Sequence, residues 1–166
     1  MTKETYAEAG VKQKATLKTT GIRVLLIVGI LVTIPLSQIA SFLYIVPTIM
    51  VLITFWLYPK MSFEYEYVYV DGQIDFDRIM GGAKRKTVLR VDLENAEVVA
   101  PVDSDEINHY SYKENMIVKD YSSMEPDHYK YALITAPDGK YTKIIFEPSA
   151  KMLDCMKSKY PRKVIL

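Results

Sequence analysis

Two patterns of apolar residues divide this chain. No charged residue occurs from Val24 to Pro59, whereas from Phe63 onward apolar and polar residues alternate in short runs. A helix needs roughly 20 apolar residues to cross a hydrocarbon core of about 30 Å. The uncharged stretch is therefore too long for one upright crossing and just long enough for two. It predicts a first span over Gly21–Leu36 and a second over Ile39–Tyr58, turning at the polar pair Ser37-Gln38. Pro35 helps to end the first helix, and Pro47 is expected to kink the second. The first span is short unless its helix starts near Lys18 and Arg23 snorkels outward; a re-entrant hairpin is the alternative. A cleaved signal peptide fits poorly, because the apolar region starts late, runs on through a second span and contains no A-x-A-like site.

The second pattern predicts strands. In Phe63–Val70, FEYEYVYV, the residues Phe63, Tyr65, Tyr67 and Tyr69 share one face, and Glu64, Glu66, Val68 and Val70 share the other. Asp71-Gly72 is a two-residue hairpin signal, and Gln73–Ile79 is the return strand. Further strands are expected over Lys84–Leu93 (where alternation sets Val88 and Arg90 against Leu89 and Val91 without deciding which face is inside), Ala96–Ala100, Met116–Tyr121, Tyr129–Ala136 and Tyr141–Glu147, the last two joined by the turn Pro137-Asp138-Gly139-Lys140. Residues 102–115 read as a loop. Ser149 is a candidate N-cap for a closing helix in which Met152, Cys155, Met156 and Lys159 recur at helical spacing, stopped by Pro161. These are seven antiparallel strands and one C-terminal helix.

Charge adds direction. Residues 1–23 carry five Lys/Arg against two Glu, a net of +3; residues 60–166 carry 16 Lys/Arg against 18 Asp/Glu, a net of −2. Basic residues flank the apolar region on both sides and none lies in its turn, which places both termini and the soluble domain in the cytoplasm. Trp56, Tyr58 and Lys60 are the expected anchors at the headgroup level. A mildly acidic domain without a basic stripe is a poor nucleic-acid binder. The expected organisation is a cytoplasmic N-terminal segment (1–20), a two-helix membrane anchor (21–59), a soluble domain (62–161) and a basic, apolar tail (162–166).

This order of elements, seven short strands and then a helix that covers an open end of a bent sheet or barrel, resembles the pleckstrin-homology-like superfold. The chain is also similar to an uncharacterised family of small two-span membrane proteins from Gram-positive bacteria. That likeness runs through E-T-Y at Glu4–Tyr6, the text at Phe63–Gly72, K-R-K-x-V-L at Lys84–Leu89 and F-E-P-S-x-K-M-L at Phe146–Leu153. The resemblance implies a fold and no chemistry. Phosphoinositide-binding members of the superfold place basic residues in the first hairpin loop. If Phe63–Val70 is the first strand, that loop is the tight, acidic Asp71-Gly72.

Candidate chemistry is sparse. His109 and His128 are the only histidines, and Cys155 is the only cysteine, so neither a disulfide within the chain nor a cysteine-based metal site can form. Asp103, Asp105, Glu106 and His109 lack the spacing of a calcium loop. Ser111, His109 and Asp105 are too close in sequence to align as a hydrolytic triad without unusual loop geometry. Gly81-Gly82 before Lys84, Arg85 and Lys86 is not a P-loop, but the three cations could meet a membrane surface or another anion. Tyr65, Tyr67 and Tyr69 could form an interaction face, or pack on the domain core or toward the headgroups. The expectation is a non-catalytic, cofactor-free binding or scaffolding module at the lipid bilayer. Its partner would be a membrane or cytoplasmic protein or a second copy of the chain. A structural role for the helical hairpin is the alternative, and an enzyme is disfavoured.

Overall fold

The computed structural model describes residues 6–14, 17–39, 41–80, 84–113 and 115–166. They divide into two compact units, one built of strands and a C-terminal helix and one of apolar helices.

In the strand unit, β1 (Tyr6–Lys12), β2 (Phe63–Val70), β3 (Gln73–Met80) and β4 (Lys84–Asp92) form one four-stranded sheet in that order. The Asp71-Gly72 turn has positive φ at both residues, 43° and 93°, the combination that matches the twist of the flanking strands. β1 was not expected. It pairs antiparallel with β2 from Tyr6↔Val70 to Lys12↔Glu64, so the segment taken as a cytoplasmic extension (1–20) supplies a strand of the domain. Its inward residues are small where β2 is large: Ala7 lies opposite Tyr69, Ala9 opposite Tyr67 and Val11 opposite Tyr65. Val91 is the buried apolar residue of β4, whereas Val88 is exposed, so the face with Leu89 and Val91 is the inner one of the two that alternation left open.

The second sheet has the order β5-β7-β8-β6, from β5 (Ala96–Pro101), β6 (Ile117–Asp120), β7 (Tyr131–Thr135) and β8 (Thr142–Phe146). The expected seven-stranded, all-antiparallel bent sheet or barrel is thus corrected to eight strands in two four-stranded sheets. One pair, β6 with β8, is parallel. Side-chain alternation reports which face of a strand is buried, not the direction in which the strand runs.

The two sheets of this unit meet through aromatic rings. Tyr67 and Phe76 from the first sheet each sit edge-on to Phe146 from the second, at 5.7 and 5.6 Å between centroids. The hydroxyl of Tyr67 donates to the Tyr121 carbonyl at 2.6 Å, which satisfies a polar group inside the core. A second apolar cluster joins Val98, Ala100, Ile107, Ala132 and Ile134.

In the expected loop, Ser104 caps a single helical turn that spans Asp105–Asn108 and buries Ile107. The closing helix spans Ala150–Lys159, with Ser149 accepting from the Met152 N–H at 3.3 Å and with Met152 and Met156 buried. The tail is part of the domain rather than an appendage. Val99 donates to the Lys163 carbonyl and accepts from the Ile165 N–H, both at 2.8 Å, and Val164 is fully buried. That short pairing covers the outer edge of β5.

In the helical unit, α1 (Leu17–Leu36) is followed by a turn at Ser37–Ile39, a 3-10 turn at Ser41–Tyr44, α2 (Ile45–Leu57) and a second 3-10 turn at Tyr58–Met61. Its stretch Thr19–Leu36 is long and apolar enough to cross a membrane, and none of it is buried. The expected balance is reversed, since the first helix is the long one and α2 has 13 residues. Pro47 is the third residue of α2. It sits in the first turn, where a missing N–H costs little, so it opens the helix rather than kinking it. The methyl of Met50 fills the notch at Gly29, where an added Cβ would come within 2.6 Å of it.

Candidate functional site

The most connected polar cluster lies where β8 ends. The carboxylate of Glu147, 8% exposed, accepts from the Ser123 N–H at 2.8 Å and from the Ser123 hydroxyl at 2.7 Å through Oε1. Its Oε2 lies 2.8 Å from His128 Nδ1. Ser122 adds an N–H bond to Asp120 at 2.8 Å. Burial pushes the Glu147 carboxyl up, but the bonds from Ser123 and His128 outweigh it and hold the group below its ordinary value.

These are the residue types of a hydrolytic triad in a non-catalytic arrangement. A nucleophilic serine needs an imidazole nitrogen to take its proton while the carboxylate orients the other nitrogen. Here the serine hydroxyl donates to the carboxylate, and the same Nδ1 faces both Glu147 and Ser123, the latter at 3.2 Å. The cluster ties residues 121–130 to the end of β8. Sequence reasoning missed it because its members are far apart in the chain and Glu147 read as the end of a strand.

The residues singled out by sequence fall elsewhere. Asp105 begins the one-turn helix, and His109 caps it through an N–H bond to the Asp105 carbonyl at 2.9 Å. The His109 ring packs edge-on to Tyr110, and no triad with Ser111 is assembled. Among the described residues, no group of three His, Cys, Asp or Glu side chains could hold a metal. Cys155 is half-buried on the closing helix. An open polar groove of about 610 Å³, lined by Glu94, Asn95, Glu97, Pro137 and Lys163, contains no serine, cysteine or histidine.

Tyr65, Tyr67 and Tyr69 are 8%, 0% and 1% exposed. They form the core rather than an interaction face, because their side of β2 is the one that the second sheet covers. Burial pushes the Tyr69 phenol up to about 12 and raises that of Tyr67 further.

The basic run is split by its partners. Arg85 pairs with Glu66 and, at 2.8 Å, with Asp77, which is nearly buried. Lys84 and Lys86 are exposed. Gly81 and Gly82 lie outside the described residues. Nearby, Arg90 holds Asp75 in a two-pronged pair at 2.7 and 2.6 Å.

In the helical unit, Trp56 and Tyr58 are 64% and 52% exposed, and the Lys60 side chain lies outside the described residues. Arg23 bridges the two helices. Its guanidinium sits 4.9 Å above the Tyr58 ring and donates to Ser62 Oγ at 2.9 Å. The start of α1 and the chain following α2 are thereby held at the same end of the helical pair.

The chain belongs to the family described as Bacterial PH-like domain (DUF6106), which it matches over residues 3–166. No curated protein and no solved structure matches it. PH-like domains are generally non-catalytic interaction or scaffolding modules, and the eight strands with a C-terminal helix match that fold.

Proposed function

We propose that this protein is a membrane-tethered, non-catalytic binding or scaffolding module whose domain and termini face the cytoplasm. One observation carries the reading: β1 and β2 are paired neighbours, yet the uncharged segment lies between them in the chain. Lys12 and Glu64 are cross-strand partners. A segment that leaves from one and returns to the other starts and ends on the same side of a bilayer, so an even number of crossings, or a re-entrant hairpin, is required. A lone span would put β1 and β2 on opposite sides of the bilayer, and removal of α1 as a signal sequence would take β1 from the sheet with it.

Length supports two crossings. At 1.5 Å per residue α1 is about 30 Å long. The 13 residues of α2 reach only about 20 Å as an α-helix, but the flanking 3-10 turns, at about 2 Å per residue, extend the helical path to a similar reach. The positive charges flanking the segment support a cytoplasmic domain.

Surface labelling tests the reading. In a Cys155→Ser background, Gln38→Cys should react with a membrane-impermeant maleimide on intact cells. Tyr112→Cys, at a position 91% exposed on the domain, should react only after lysis. Labelling of neither until lysis would replace the crossing hairpin by a re-entrant one. Labelling of Tyr112→Cys on intact cells would invert the orientation. Recovery of the same partners from detergent extract with and without residues 64–166 would remove the scaffolding role from the domain.

A further inference from the structure

The chain leaves the first sheet at Lys12 and re-enters it at Phe63, beside Glu64. β3 follows β2 through the two-residue turn Asp71-Gly72, and β4 follows β3 after residues 81–83. Connections this short join antiparallel neighbours, because a parallel return needs a dozen or more residues. The end of β3 and the start of β4 therefore fall at the same end of the sheet as Lys12 and Glu64. The opposite end carries Asp71, Asp92 and the start of β1.

The charges at the first end are unequal in their commitments. Lys12 stands opposite Glu64 across the strand pair. Arg85 is held by Glu66 and Asp77. Lys84 and Lys86 are exposed and have no ion pair among the described residues. The guanidinium fork suited to gripping a single phosphate is thus occupied by carboxylates. What is left is a pair of mobile-stemmed point charges on an exposed strand, which suits a diffuse anionic surface rather than one discrete anion.

We infer that Lys84 and Lys86 hold this end of the sheet against anionic phospholipid headgroups and so set the orientation of the domain on the membrane. The inference rests on the tethered reading above. A tether keeps the domain close to the surface, so a weak attraction suffices to orient it. Each lysine is expected to shift the ratio of docked to undocked domain about fivefold, the equivalent of roughly 1 kcal/mol near an anionic surface. Headgroup stereochemistry plays no part, and salt should weaken the contact.

The test uses the full chain in nanodiscs doped with a gadolinium-chelate lipid, comparing phosphatidylcholine with a phosphatidylglycerol mixture. Amide broadening at residues 84–88 should exceed that at Gly72 in the anionic discs. It should fall severalfold in phosphatidylcholine, at high salt and in the Lys84→Gln/Lys86→Gln variant. Broadening at residues 84–88 that is indifferent to lipid charge and salt in the unaltered chain would overturn the inference even if the variant misfolds. Failure of the chain to enter nanodiscs at all would overturn the tethered reading and this inference together.

Discussion

The strand unit and the helical unit treat apolar side chains in opposite ways. In the sheets Tyr67, Ile74, Phe76 and Phe146 are completely buried, whereas along the helices Leu25, Leu31 and Phe55 are 70%, 63% and 81% exposed. Polar side chains are inverted too. In the helices Thr33 and Thr54 donate to carbonyls one turn back, at Gly29 and Met50, and Ser37 is buried. A hydroxyl that bonds its own backbone needs no water, which is the condition hydrocarbon imposes. In the strand unit, by contrast, the buried carboxylate of Glu147, just past β8, gathers donors from elsewhere in the chain. An exposed leucine costs free energy in water and little in lipid, so the contrast teaches that the same exposure would carry opposite costs if the helical unit sits in a bilayer, as proposed above.

Paired substitutions, one in each unit, test this contrast. The largest effect is expected for Phe76→Ala, which should destabilise the domain by about 3–5 kcal/mol through lost packing. Phe55→Ala, the same chemical change on the helical unit, should leave domain unfolding within about 0.5 kcal/mol. Hydrogen exchange of the full chain in nanodiscs measures both, and equal losses would abolish the distinction.

Next comes an arginine placed on an exposed apolar position of each unit. Leu31→Arg should cost about 2.5–3.5 kcal/mol of insertion free energy and deplete the protein from carbonate-washed membranes. Ile117→Arg, on β6 at a position 47% exposed, should change neither membrane recovery nor stability beyond about 0.5 kcal/mol.

The smallest effect is electrostatic. Glu147→Gln should cost about 2 kcal/mol near neutral pH, since it weakens the bonds from Ser123 and His128. The folded carboxyl lies below its ordinary value of 4.5, so its contribution is fully present above that pH and is lost as pH falls through the folded value. Denaturation curves of the two proteins should therefore converge below pH 4.5. A gap that persists in acid would show that the glutamate acts by shape rather than charge.

Much of the fold was legible because neighbouring residues decide it. Asp71-Gly72 demanded positive φ at two successive positions, and Ser149 could cap only what followed it. β1 was harder to read, although its alternation is present: Ala7, Ala9 and Val11 point inward between Glu8, Gly10 and Lys12. Such small residues carry a weak apolar signal, and they qualify as core only opposite the large tyrosines of β2. Finding β1 also moves the first hairpin. Its connection is not Asp71-Gly72 but the whole apolar segment between Lys12 and Phe63.

The sequence by itself determined the uncharged run from Val24 to Pro59, the β2–β3 hairpin and the closing helix, since periodicity, turn chemistry and capping act within a few residues. Only the tertiary structure decided that β1 closes against β2 across that run, that β6 lies parallel to β8, that Arg85 is committed to Asp77 and Glu66, and that Glu147 gathers Ser123 and His128. Each of these joins residues distant in the chain, where the outcome depends on complementary size and on satisfying buried polar groups, properties of a pair that neither partner's local sequence contains.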